Sequence, residues 1–146
     1  MNHTPEGTLL TSIILDVFML NGLLVQEGDN LVKELGLTSA RWKVLGALSF
    51  SETPLTVSDV ARKMGQSRQS VQRLANEMMN EGFLVSFDNP NNKKAKLYSL
   101  TDAGAEVFTQ AMERQSHWVN KIAEGISESE LQNTSALLQK LTLRLE

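Results

Sequence analysis

The sequence predicts a mainly α-helical chain of the α+β class, one domain of six helices and a single β-hairpin. Three observations carry this. Apolar residues recur at helical spacing over most of the 146 residues, two short strand-like runs flank one Asn/Pro cluster, and Pro5, Pro54 and Pro90 all fall outside the periodic segments. The length is usual for one domain with an ordinary core.

The elements follow in order from caps and periods. A first helix is expected from about Thr8 to Leu35, ending at Gly36, with Pro5 in a tail before it. Thr38 then caps a second helix carrying Trp42, Leu45 and Leu48, and Leu37 and Trp42 occupy the two positions of a hydrophobic staple. Thr56 and Asp59 form a capping box for a short third helix, stapled by Leu55 and Val60 and stopped by Gly65. Ser67 caps a fourth helix, Arg68 to Glu81, whose apolar positions Val71, Leu74, Ala75 and Met78 make one stripe. After Gly82 come the strand-like runs 83–87 and 95–100, joined by the polar cluster 88–94. Thr101 caps a long fifth helix to about Gly125, and Ser127 with Glu130 opens the last one, stapled by Ile126 and Leu131.

Composition removes several function classes. With no cysteine there is no disulfide, thiolate metal site, nucleophilic thiol or thiol redox sensor. His3 and His117 are the two histidines, too few for a multi-histidine metal site and poorly placed for a triad, so no enzyme, metal or cofactor is expected. The stretch from Thr8 to Val25 is apolar enough to suggest a membrane span, but Asp16, Asn21 and Gly22 interrupt it and the first basic residue is Lys33. It reads as a buried helix of a soluble cytoplasmic protein. Being apolar around most of its circumference, it needs cover on more than one side, which points to a second subunit.

The formal net charge of −3 argues at first against a nucleic-acid partner. Division by segment reverses that. Between Arg62 and Lys96 stand seven basic residues against three acidic, a balance of +4, so the remainder carries −7. This basic third contains a short helix, a tight glycine turn and a helix with a polar, Arg-bearing face, the helix-turn-helix pattern, followed by a basic hairpin that reads as a wing. Arg suits guanine, Gln and Asn suit adenine, and Ser67 and Ser70 suit phosphate beside the free N–H groups of a helix start. A two-helix bundle element with a solvated polar face is the plainer alternative, and the basic hairpin decides against it.

Here the motifs, in their order, resemble a known family. Residues 37–45 (LTSARWKVL), 54–61 (PLTVSDVA), 67–74 (SRQSVQRL), 81–85 (EGFLV) and 97–104 (LYSLTDAG) resemble the successive signatures of the MarR family, and the likeness continues through 126–131 to the Leu-rich end. The resemblance implies a homodimeric winged helix-turn-helix transcription regulator, with a DNA-binding part at 38–101 and dimerisation helices at 8–36 and 102–146. It also implies, as in many members, release of DNA when a small, often aromatic, ligand binds between the two parts. At the wing the chain departs from the family's usual Asp-Arg-Arg, with Asn92, Lys93 and Lys94 instead. Lysine keeps the charge and loses the planar fork, so this wing is read as a phosphate contact rather than a minor-groove reader.

Arg68, Gln69, Gln72 and Arg73 are the candidate base contacts, with Ser67, Ser70, Asn76, Lys93, Lys94 and Lys96 completing the expected DNA face. Asn76 stands at the limit of the groove's reach. Asp16, Trp42, Phe108 and Met112 are the candidate ligand contacts, each with a plain packing or surface alternative, and for Trp42 core packing is favoured. His117 and Trp118 read as packing or surface. The expected function is a repressor on a pseudo-palindromic operator, whose partners are double-stranded DNA, a second copy and a phenolic or lipophilic effector. The competing class is a winged-helix protein-interaction module with weak or no DNA binding.

Overall fold

The computed structural model describes residues 2–146 and contains, among them, six α-helices and three short strands. In chain order these are α1 (Pro5–Val32), α2 (Ser39–Ser49), β1 (Leu55–Thr56), α3 (Val57–Met64), α4 (Arg68–Asn80), β2 (Leu84–Phe87), β3 (Leu97–Leu100), α5 (Asp102–Ala123) and α6 (Glu128–Leu145). The chain divides into two compact units, Met1–Arg114 and Gln115–Glu146.

In the first unit, α1 begins three residues earlier than the apolar pattern suggests. Thr4 is the N-cap, its Oγ1 accepting from the Gly7 N–H at 3.0 Å, and Pro5 is the first helical residue rather than part of a tail. Proline suits that position because its missing N–H would have no partner there. The helix tightens into a 3-10 turn at Lys33–Leu35 and stops at Gly36, whose φ of 72° lies in the left-handed region. The chain then doubles back so closely that Ser39 Oγ donates to the Val25 carbonyl at 2.7 Å and the Ser39 N–H donates to Asp29 Oδ1 at 2.6 Å. A Cβ on Gly28 would lie 2.4 Å from Ser39 Oγ, so the α1–α2 crossing depends on that glycine.

The core gathers Val44, Leu45 and Leu48 from α2, Val60 and Ala61 from α3, and Val71, Leu74, Ala75 and Met78 from α4. Leu84, Tyr98, Val107, Phe108 and Ala111 close it. The sheet is antiparallel in the order β1-β3-β2, with Leu55 opposite Tyr98 and Ser86 opposite Tyr98 on its other side. The expected hairpin is therefore the larger part of a three-stranded sheet. Strand β1 has two residues, too few to show alternation, and Thr56 is also the cap of α3. The hairpin strands are likewise shorter than the apolar runs: the Phe83 N–H caps the end of α4 by donating to the Met78 carbonyl at 2.9 Å, and the Ala95 N–H stays in the wing turn, donating to the Asn92 carbonyl at 3.2 Å. Thr101 opens α5, accepting from the Gly104 N–H at 3.1 Å.

In the second unit, α5 ends at Ala123 and Gly125 turns the chain at φ 82°. Ser127 Oγ accepts from the Glu130 N–H at 3.2 Å while Glu130 Oε2 accepts from the Ser127 N–H at 3.0 Å, the reciprocal pair expected of this motif. No residue of α6 is buried.

The apolar stretch of α1 is not buried within this chain: Gly28 and Val32 are its buried residues, while Phe18 and Met19 are 70% and 69% exposed. Among the described residues it remains the one helix long and apolar enough to cross a membrane by length and composition.

Candidate nucleic-acid interface

The pair α3 and α4 is fixed by side chain to backbone bonds at the start of each helix. Thr56 Oγ1 accepts from the Asp59 N–H at 3.1 Å, and Asp59 Oδ2 accepts from the Thr56 N–H at 3.1 Å and from its hydroxyl at 2.8 Å. These bonds, the hydroxyl first, hold the Asp59 carboxyl below the usual carboxylate range, and the nearby Arg62 and Lys63 charges add to the effect. Gly65 takes φ 64°, which closes α3 in the left-handed conformation that a side chain would resist. Two residues later Ser67 Oγ accepts from the Ser70 N–H at 3.1 Å and starts α4.

Helix α4 buries Val71, Leu74, Ala75 and Met78. Its polar face follows from the same period: Arg68, Gln69, Gln72, Arg73 and Asn76 are all exposed. The wing between β2 and β3 is shaped by its asparagines. Asn89 Oδ1 accepts from the Asn91 N–H at 3.0 Å and Asn92 Oδ1 from the Lys94 N–H at 3.1 Å, two local turns that leave Lys93, Lys94 and Lys96 exposed.

Between α4 and the wing lies an open cleft of about 790 Å³. Six of the ten sequence-predicted DNA residues line it: Arg68, Gln69, Gln72, Asn76, Lys94 and Lys96. Asn76, expected at the limit of reach, is among them. Ser67, Ser70, Arg73 and Lys93 are not, although Arg73 is exposed on the same helix and Lys93 on the wing. The lining adds residues the sequence did not single out as DNA contacts, Thr56 and Ser58 at the start of α3, Asn92 of the wing and Tyr98 of β3. Their signal was hidden: Tyr98 is an apolar-run residue, 5% exposed, whose hydroxyl accepts from Gln72 Nε2 at 3.1 Å. Gln72 Nε2 also donates to Asn76 Oδ1 at 3.0 Å, so the Gln72 amide is held in place within the cleft.

Acidic neighbours answer part of the positive charge. Arg73 Nη1 pairs with Glu77 Oε1 at 2.8 Å and Arg62 Nη2 with Asp59 Oδ1 at 2.8 Å. Among the described residues no ion pair engages Arg68, Lys94 or Lys96, so the cleft walls keep their cations exposed to solvent.

The residues expected to meet a small ligand have mixed placements. Phe108 is buried and meets Phe50 edge to face, ring centres 5.7 Å apart. Trp42 and Met112 are half-buried against the core, Asp16 is exposed on α1, and none of the four lines the cleft. His117 is exposed and Trp118 half-buried. Among the described residues no cluster of three or more His, Asp or Glu could hold a metal ion.

Comparison with known proteins agrees with this fold. A family model described as MarR family matches residues 35–95. An uncharacterized protein of Mycobacterium tuberculosis is 33% identical over 94% of this chain and 94% of its own length. The transcriptional activatory protein BadR of Rhodopseudomonas palustris is 28% identical over 68% of this chain and 58% of its own length. The transcriptional repressor MprA of Escherichia coli K12 is 21% identical over 84% of this chain and 70% of its own length. Among solved structures, the Staphylococcus aureus MepR–DNA complex matches with a TM-score of 0.77 at 18% identity, covering 89% of this chain and 94% of MepR. CouR of Rhodococcus jostii bound to p-coumaroyl-CoA matches at 0.79 and 20% identity, covering 88% of this chain and 90% of CouR.

Proposed function

The chain belongs to the MarR family of DNA-binding, non-enzymatic transcription regulators, and on that premise we propose that it is a cytoplasmic homodimeric repressor of a pseudo-palindromic operator. The observation that supports this best is the cleft between α4 and the wing. Its wall of Arg68, Gln69 and Gln72 suits base edges in a major groove, while Lys94 and Lys96 opposite suit phosphate. In this reading residues 38–101 form the DNA-binding part, and helices 8–36 and 102–146 join two copies so that their recognition helices enter successive major grooves. Ser67 and Ser70 hold phosphate at the start of α4, Arg73 and Asn76 extend the contact along it, and Lys93 adds a phosphate contact from the wing tip.

Repression needs no more than occupancy of promoter DNA, and MprA is a repressor; BadR, an activatory protein, is the reason to test direction separately. A small phenolic or lipophilic effector releasing DNA is part of the proposal. Trp42, Phe108 and Met112, with Asp16 as a polar group, are its assigned contacts. CouR, bound to p-coumaroyl-CoA, is a protein of the same fold with a ligand of that character. Thermal-shift screening of phenolic and lipophilic compounds followed by a DNA-release assay tests that step, and no stabiliser that also releases DNA counts against it.

The deciding experiment is a gel-shift titration with the upstream region of the gene itself over a salt series. Specific binding that falls steeply with salt is expected. Equal, weak binding to any duplex favours instead a winged helix used to dock another protein.

A further inference from the structure

Helix α4 carries Glu77 and Glu81 in and just after its last turn and has no basic residue there, an arrangement the helix dipole disfavours. The missing cation comes from α2. Arg41 has a side chain 13% exposed, its Nη2 pairs with Glu81, and its Nε lies 3.8 Å from Glu77 Oε2. Its Nη1 donates to the Gly36 carbonyl at 3.1 Å, so one guanidinium ties the end of the first helical segment to the recognition helix. Glu77 is also the acid that holds Arg73, through its other oxygen, at 2.8 Å. One carboxylate thus stands between a shielded arginine and an arginine 64% exposed on the polar face.

We propose that Arg41 is a positioning residue for DNA binding, which keeps Glu77 partnered when Arg73 leaves it for a phosphate or base. This rests on α4 being the DNA-reading helix. Without Arg41, the release of Arg73 would strand the charge of Glu77 a single turn from the phosphates, and Arg73 would stay folded along its own helix. Arg41 itself touches no DNA. It sets whether Arg73 is available, and it does so from the segment that joins α1 to the reader.

The test compares the parent with R41A, E77Q and R41A/E77Q for affinity to the mapped site and for the slope of affinity against salt, with a thermal melt of each. R41A should bind about tenfold more weakly, with a salt slope shallower by about one, because one cation no longer displaces counterions. E77Q should bind more tightly than the parent, and R41A/E77Q should recover most of the loss with the parental slope. If R41A melts too low to assay, R41M, which keeps the packing of the side-chain stem and loses the charge, is read in the same way. Loss of affinity that E77Q does not rescue, or an R41A indistinguishable from the parent, overturns the proposal. A parent without specific, salt-sensitive binding overturns the DNA-reading assignment beneath it, and is told apart by failing before any variant is made.

Discussion

Helix α4 buries four of its five apolar residues, Val71, Leu74, Ala75 and Met78, to 3% exposure or less, whereas α6 carries Leu131, Leu137, Leu138, Leu143 and Leu145 and buries none. Both helices have strong starts, Ser67 in one and the Ser127–Glu130 box in the other, so local signals do not separate them. What differs is the source of cover. The reader's core is supplied by α2, α3, the sheet and α5 of the same chain. Helix α6, like the first part of α1, leaves its apolar surface exposed in one copy, and homodimers are typical of the family. The core around α4 is therefore complete within one copy, whereas that of α6 is not.

The comparison breaks most sharply where backbone meets backbone. Gly104 sits where a Cβ would lie 2.1 Å from the Phe83 carbonyl oxygen, so G104A should cost roughly 3 kcal/mol or more in urea unfolding of the winged part. Next is Leu45, 0% exposed: L45A should cost about 3 kcal/mol, and the same amount at every protein concentration. The matching change in the terminal helices should behave in the opposite way. F18E together with L143E, at side chains 70% and 74% exposed, should weaken self-association by about 2 kcal/mol or more while the reader's fold persists. Sedimentation across a concentration series reads the first effect and far-UV dichroism the second. A loss of fold equal to that of L45A would erase the distinction between the regions.

The smallest effect is a pH dependence at the start of α3. Asp59 has its carboxyl held below the usual range by the Thr56 bonds, so its contribution is present above the unfolded value near 4 and is lost as pH falls through the lower folded value. Thermal unfolding from neutral pH to about pH 3 should show that loss in the parent and less of it in D59N, which should itself cost about 1 kcal/mol at neutral pH.

Much of this was legible in the sequence because capping is local chemistry. Thr38, Thr56, Ser67, Thr101 and Ser127 each accept the backbone bond their position predicts. The polar face of α4 followed from its period. The start of α1 was missed because apolar spacing begins after the cap, and β1 because two residues show no alternation. Tyr98 was read as one more strand residue, since a side chain that is apolar at its base and polar at its tip declares its second role only when the fold aims the hydroxyl into the cleft. The Arg41–Glu77–Arg73 link joins residues 36 and 4 positions apart in the chain, and the longer of those two spans follows no local rule.

The most direct measurement is hydroxyl-radical footprinting of the chain on its own upstream DNA. Two reading helices held by one dimer should protect two patches centred about one helical turn apart, ~10 base pairs, with flanking protection that weakens when Lys93 and Lys94 are both changed to Ala. A single protected patch, or flanks indifferent to the loss of those lysines, would contradict a dimer that reads DNA through α4 and the wing.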